Sequence, residues 1–117
     1  MKYVPHGAAL EYLQGLYHGP MRDESVSIPV GVTVVTAADR DPERIIVTFV
    51  NLGADAIFLR PNGIPSATAG FRLGASGGAL SVATFEDGTL PTAEWSAIGA
   101  AAGLTLFRMS VRRESIG

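Results

Sequence analysis

The sequence has 117 residues, of which 47% are hydrophobic and 17% charged, with a formal net charge of −2 and no cysteine. This length suits one domain with a modest core, and a typical soluble domain carries roughly 25% charged residues. The slight negative charge argues against nucleic acid or an anionic membrane as the main partner, and the lack of cysteine excludes disulfides and thiolate metal sites. The apolar surplus predicts that some of it faces a partner, most simply a second copy of the chain.

The first seven residues contain no long apolar run, so we expect no signal peptide. No segment of the sequence approaches the roughly 18 consecutive apolar residues that a membrane span requires. These two patterns predict a protein that is made in the cytoplasm and has no membrane partner.

Residues 1–24 differ from the rest of the chain and are interpreted as an N-terminal arm. Leu10 and Leu13, followed by Leu16 or Tyr17, recur at helical spacing, which predicts a short helix. The sequence His18-Gly19-Pro20 ends any such helix. Because a helix of about ten residues is marginal alone in water, we expect the arm to dock on its own domain or on a neighbour.

Residues 25–117 are interpreted as one β-domain, because short apolar segments alternate there with turn residues. The predicted strands are Val26–Ala37, Arg44–Asn51, Ala56–Arg60, Ala79–Phe85, Ala93–Ala101 and Leu104–Arg112. Between them, 61–78 reads as a long glycine-rich stretch that holds a possible short strand at Phe71–Leu73. The pattern predicts an all-β fold, an antiparallel β-sandwich or a jelly-roll-like domain.

Two of the predicted strands carry additional information. The segment from Ile45 to Val50 is apolar or β-branched throughout, which predicts a strand covered on both faces. The last strand alternates, with Arg108 and Arg112 on one face and apolar residues such as Met109 on the other. A solvated face is the favoured interpretation of the arginines, and contact with carboxylates of a partner is the alternative.

No pattern of catalytic or metal-binding residues is complete. The acidic turn at Asp39, Asp41 and Glu43 lacks the full EF-hand pattern, and His6 and His18 lack the spacing of zinc ligands. The glycines of 70–78 are not followed by the Lys-Ser/Thr of a phosphate-binding loop. We therefore predict no metal and no cofactor.

An enzymatic function has little support in the sequence. Glu86, Asp87 and Glu94 are the candidate carboxylates for a hydrolase, but the sequence does not place them relative to one another. No serine lies in a nucleophile motif. We therefore predict that the protein is not an enzyme.

Trp95 is the sole tryptophan. An exposed Trp95 could stack on a sugar ring, with Tyr3, Tyr12 or Tyr17 nearby. The favoured interpretation is that Trp95 anchors the core or a contact between subunits.

The order of several short motifs resembles that of a known group of proteins. These motifs are Asn51–Leu59, Gly63-Ile64-Pro65, Gly70–Leu73, Ala75–Ser81, Ala97-Ile98 and Ala102–Leu106. Their succession resembles the small β-sandwich virion proteins of tailed bacteriophages, in particular head decoration (cement) proteins. The resemblance covers about residues 45–112 and rests on turn glycines and alternating apolar residues.

The resemblance implies a structural protein of the virion that forms a homotrimer and binds the major capsid protein on the capsid surface. The predicted interface residues are Tyr3, Leu10, Tyr12, Leu13, Leu16, Tyr17, Trp95, Arg108 and Arg112. Another virion component, such as a head-fibre base, neck or tail protein, is an alternative. A carbohydrate-binding module that uses Trp95 is a second alternative.

Overall fold

The structure is a computed structural model, which describes residues 21–113. Eight strands run through this part of the chain, together with one helical turn and one 3-10 turn. The strands are β1 (Met21–Val30), β2 (Val35–Ala38), β3 (Arg44–Asn51), β4 (Ile57–Pro61), β5 (Phe71–Leu73), β6 (Ala79–Ala83), β7 (Trp95–Gly99) and β8 (Leu104–Arg113). The helical turn α1 is Thr84–Asp87 and the 3-10 turn is Leu90–Thr92.

The strands form two antiparallel sheets that pack face to face. The first sheet has the order β1-β8-β3-β6, and the second sheet has the order β2-β7-β4-β5. Every connection except β4–β5 takes the chain from one sheet to the other, which is the strand arrangement of a jelly roll. The prediction of an all-β antiparallel sandwich of jelly-roll type is confirmed.

Several predicted boundaries differ from the observed ones by one or two residues, and three differences change which element a residue belongs to. The predicted strand Val26–Ala37 is two strands, since the chain leaves the first sheet after Val30 and enters the second at Val35. The strand β1 begins at Met21, so residues 21–24 belong to the sheet and not to the predicted arm. The predicted strand Ala79–Phe85 ends at Ala83, where α1 begins.

Large side chains from both sheets fill the space between them. Trp95, Phe49 and Leu106 are fully buried there, and the rings of Trp95 and Phe49 lie 5.3 Å apart. The indole Nε1 of Trp95 donates a hydrogen bond of 3.0 Å to the carbonyl oxygen of Leu90, which satisfies its polar atom within the core. Trp95 is therefore a core anchor.

The two ends of the sandwich differ in charge. We call the first end the uncharged tip; it consists of the loops 31–34, 52–56, 74–78 and 100–103. The second end, the charged end, consists of 39–43, 62–70 and 84–94. Asp55 is the one charged residue of the tip loops, whereas the loop 39–43 alone contains Asp39, Arg40, Asp41 and Glu43.

Candidate docking surfaces

The charged end is closed by a buried arginine. Arg44 is 5% exposed, and its Nε donates a hydrogen bond of 2.7 Å to the carbonyl oxygen of Pro91. Its Nη2 donates to the carbonyl oxygens of Asp39 and Ala93, both at 2.9 Å. Burial lowers the pKa of the Arg44 guanidinium, and these three carbonyls satisfy its donors. Arg44 thus fastens two loops to each other and is not available to a partner.

Arg44 faces inward because the register of β3 against β8 shifts between Arg44 and Ile46. In a regular strand, Arg44 would share the outward face of Ile46, since side chains alternate with a period of two. The irregularity turns the arginine toward the core end of the sandwich. This change of direction has no signal in the residue pattern of the strand.

A second arginine of the charged end forms an ion pair. The Nε of Arg112 donates a hydrogen bond of 2.9 Å to Oδ2 of Asp41, and its Nη2 lies 3.4 Å from Oδ1. This hydrogen bond holds the pKa of Asp41 below its usual value, although burial raises it in part, and the backbone N–H of Glu43 adds to the lowering. The same pair raises the pKa of Arg112.

The sequence predicts that the arginine face of β8 is exposed to solvent, but in the structure this face is turned toward the second sheet. Arg108 lies opposite the buried Phe49, and its Nη1 donates a hydrogen bond of 2.8 Å to the carbonyl oxygen of Ala37 in the second sheet. Its buried Nε has no hydrogen-bond partner within the described range 21–113. The prediction of an outward arginine face is therefore wrong, because long arginine side chains cross the ends of the sandwich to reach carbonyls and Asp41.

The Asp41–Arg112 pair predicts a specific pH dependence. Because the pKa of Asp41 is lower in the folded than in the unfolded state, its contribution to stability is complete above about pH 4 and is lost as pH falls through the folded-state value. We expect Asp41→Asn to lower the free energy of unfolding by about 0.5–1 kcal/mol at pH 7, since the pair is partly exposed. The difference from wild type should be smaller at pH 3 than at pH 7, because protonation of Asp41 removes its charge.

Urea unfolding at pH 7 and pH 3 measures this effect. The matched control is Asp55→Asn, which neutralises an exposed carboxylate of the tip. A difference between Asp41→Asn and wild type that is as large at pH 3 as at pH 7 would contradict the assigned role of the carboxylate charge.

The uncharged tip is built around one buried side chain. Asn51 is fully buried at the end of β3, and its Nδ2 donates to the carbonyl oxygens of Asp55, Leu73 and Gly74 at 2.8, 3.1 and 3.1 Å. Its Oδ1 accepts a hydrogen bond of 2.8 Å from the backbone N–H of Gly53. One amide therefore joins the loops 52–56 and 74–78.

Backbone hydrogen bonds join the remaining loops of the tip. The N–H of Ser76 donates to the carbonyl of Gly53 at 2.9 Å, and the N–H of Gly99 donates to Gly31 at 2.7 Å. The N–H of Ala100 donates to the carbonyl of Ala56 at 2.9 Å. Because each loop is bonded to another element, the tip has a defined shape and needs little ordering on binding.

The tip presents apolar and small side chains to solvent. Val32 is 65% exposed and Leu52 is 57% exposed, and they stand among alanines and glycines of the four loops. A patch of exposed apolar side chains with almost no charge is typical of a surface that contacts another protein.

A second apolar surface covers the outside of the first sheet. We call it the outer face; its side chains are Met21, Asp23, Ser25, Ser27, Pro29, Ile46, Thr48, Val50, Ala79, Ser81, Ala83, Thr105, Phe107, Met109, Val111 and Arg113. Apolar residues lie opposite each other in the pairs Val50–Phe107 and Ile46–Val111. A shallow groove of about 440 Å³ crosses β1, β8 and β3 around Met109.

The predicted site residues fall into two groups. The predicted contacts Tyr3, Leu10, Tyr12, Leu13, Leu16 and Tyr17 lie outside the described residues. The predicted contacts Trp95, Arg108 and Arg112 bind groups of their own chain, as described above, which leaves none of them as a surface anchor. Val32, Leu52 and Met109 are exposed instead, and the signal for the first two was the lack of charge in their turns.

Three of the acidic candidates of the sequence bind groups of their own chain. Asp41 and Glu43 pair with Arg112 and Arg113, and Asp87 accepts a hydrogen bond of 2.9 Å from the backbone N–H of Ala83. Within residues 21–113, no three His, Cys, Asp or Glu side chains are grouped so that they could hold a metal ion. No helix of the described part is long and apolar enough to cross a membrane.

Comparisons with known proteins give structural similarities alone. No protein-family model and no curated protein matches the chain. One similar structure comes from the Bacillus endospore appendages, a family of disulfide-linked pili, with a TM-score of 0.49, 16% identity, and coverage of 80% of this chain and 85% of that chain. Another is a de novo designed double-stranded β-helix solved by NMR, with a TM-score of 0.46, 16% identity, and coverage of 78% and 99%.

Proposed function

We propose that this chain is a non-enzymatic structural protein of a tailed-bacteriophage virion, and specifically a head decoration protein that binds the major capsid protein at the capsid surface. The observation that carries the proposal is the uncharged tip, four hydrogen-bonded loops that expose Val32 and Leu52 and contain one charged residue. A protein that stabilises a lattice needs a rigid body and a contact surface that loses little entropy on binding. The motif order of residues 45–112 supports the same function.

The division of charge supports the tip as the surface that meets the shell. Burying an unpaired charge costs several kcal/mol, so a surface with one charge suits an uncharged partner surface. At the charged end, Arg44, Arg112 and Arg113 bind carbonyls and carboxylates of their own chain, and this end suits exposure to solvent. Several copies on one lattice add their weak contacts together, so a small tip can hold the protein on a shell.

The structure argues against one of the two alternative functions and leaves the other open. A head-fibre base, neck or tail protein would use the same body and tip against a different lattice, and locating the protein on the particle distinguishes these. The carbohydrate-binding alternative required an exposed Trp95, and that ring is fully buried. The proposal therefore stays within structural proteins of the virion.

A charge placed on the tip should prevent binding to the shell. We expect Leu52→Glu and Val32→Glu to leave the domain folded, because both side chains are mainly exposed, and to weaken capsid binding at least tenfold. Co-sedimentation of the purified protein with capsids that lack decoration protein measures this loss. The matched control is Thr68→Glu, an exposed loop position at the charged end, which should bind as wild type does.

The same assay tests the predicted arm. A chain that lacks residues 1–20 keeps the whole of β1, and the arm hypothesis predicts that it loses shell binding while its fold remains. Wild-type protein that does not co-sediment with any capsid would contradict the decoration function. Unchanged binding by both tip variants would contradict the assignment of the tip.

A further inference from the structure

The outer face of the first sheet is the largest feature that the proposed function does not use. Phe107, Met109 and Val111 alternate along β8, flanked by Ile46 and Val50 on β3. Met109 is 43% exposed at the centre of the groove. The polar side chains of this face are serines and threonines, and its charged residues, Asp23 and Arg113, lie at one corner.

The composition of β3 indicates that this face is covered. A strand that is apolar on both sides is typical of strands buried on both faces. In the structure, Val47 and Phe49 face the core, whereas Ile46 and Val50 face outward and are half-buried. Within residues 21–113, no further layer lies over them. The apolar outward residues of β3 therefore indicate that another surface covers the outer face.

The dimensions of the outer face suit a weak contact between proteins. Four strands about 4.8 Å apart, with about six residues of each at about 3.4 Å per residue, give a flat area of roughly 400 Å². Two such faces together bury about 800 Å², which is below the roughly 1,000 Å² of a stable interface and in the range of weak, transient contacts. We therefore expect contact through this face to be weak and to depend on concentration.

The composition of the outer face favours contact with the same face of a second copy. The centre of this surface carries no charge and disfavours a charged partner surface, because charges would be buried without a counter-ion. Two copies in contact bring serine, threonine and apolar side chains together, with Asp23 and Arg113 at the rim. The edge β1 is protected against strand pairing by Pro29 and by the charges at its start, so copies meet by the face and not by this edge.

We propose that a second copy of this chain covers the outer face, and that the sheet β1-β8-β3-β6 is the self-association surface of the protein. The contact stacks two sheets about 10 Å apart, with Met109 and Phe107 at its centre. It leaves the uncharged tip of each copy exposed. Self-association is independent of shell binding, so this inference does not rest on the proposed function.

The test is the solution mass of the full chain, by light scattering on a sizing column over a range of concentrations. We expect the wild-type mass to rise from the 12.2 kDa of one chain to at least twice that value by about 100 μM, given the small interface. Met109→Glu should remain at 12.2 kDa at every concentration, since it places a charge at the centre of the contact.

Two further variants provide a second test of the face and a control. Ser81→Glu changes an exposed position of the same face on the edge strand β6, so it keeps the fold even if Met109→Glu does not, and it should also remain monomeric. The matched control is Thr36→Glu, an exposed strand position on the outside of the second sheet, which should associate as wild type does.

Three outcomes would overturn the proposal. The first is a wild-type protein that stays monomeric throughout the concentration range. The second is a wild-type oligomer that persists in both Met109→Glu and Ser81→Glu. The third is a monomeric full chain that associates once residues 1–20 are removed, which would identify the N-terminal segment as the cover. If an outer-face variant loses its oligomers but still binds capsids, self-association and capsid binding use different surfaces.

Discussion

Replacing Arg44 with methionine is expected to lower the free energy of unfolding by about 3 kcal/mol or more. The substitution keeps the apolar stem but removes the donors that satisfy the carbonyl oxygens of Asp39, Pro91 and Ala93. An unsatisfied buried acceptor costs about 1–3 kcal/mol, and two of these three hydrogen bonds are buried. Arg44→Lys should lose part of this energy, because an ammonium group lacks the planar fork that reaches three acceptors.

The measurement is urea unfolding followed by the fluorescence of Trp95, which lies in the core beside the affected turn. A lower midpoint with an unchanged slope would identify a loss of stability and not a change in the unfolded chain. The matched control is Arg40→Met, an exposed arginine of the adjoining loop 39–43, for which we expect a change within about 0.5 kcal/mol. Equal effects of the two substitutions would show that Arg44 does not fasten the charged end.

Replacing Asn51 with aspartate is expected to loosen the uncharged tip as a unit. The carboxylate keeps the acceptor for Gly53 but has no N–H groups for the carbonyls of Asp55, Leu73 and Gly74. It also buries a charge against three carbonyl oxygens, so we expect a loss of about 3 kcal/mol or more, at least as large as that for Asn51→Ala.

Amide hydrogen exchange tests whether the effect is confined to the tip. We expect faster exchange at Gly53, Ser76 and Gly77, whose N–H groups bond within the tip, and little change at the charged end. Asn62→Asp is the matched control, because Asn62 is exposed and its φ of 54° is tolerated by aspartate. Uniform acceleration along the chain would mean that Asn51 stabilises the whole sandwich rather than its tip.

The tip variants and the outer-face variants test different steps of assembly. Leu52→Glu acts at the end of the sandwich, and Met109→Glu acts on the side of the first sheet. If the proposed function is right, the first variant oligomerises without binding capsids. The second stays monomeric and still binds capsids, because its tip is unchanged.

Local residue pattern determined the strands and the fold class of this protein. Arg44–Asn51 was predicted with the observed bounds, since β-branched residues and flanking turn residues specify a strand locally. The predicted last strand, Leu104–Arg112, is one residue shorter than β8, and the alternation of its side chains was predicted. Asn51 was predicted as the last residue of the strand Arg44–Asn51, and its three carbonyl partners come from the loop 52–56, from β5 and from the loop 74–78.

Which face of each strand is buried was decided by tertiary structure. Alternation defines two faces of β8 but not which one meets the second sheet, and here the arginine face turns inward because Ala37 and Asp41 lie within reach of its guanidinium groups. Arg44 likewise depends on a register shift that requires β8 as a partner. The two docking surfaces combine loops and strands that are distant in the chain. Their apolar character was present in the sequence, and their position followed from the pairing of the strands.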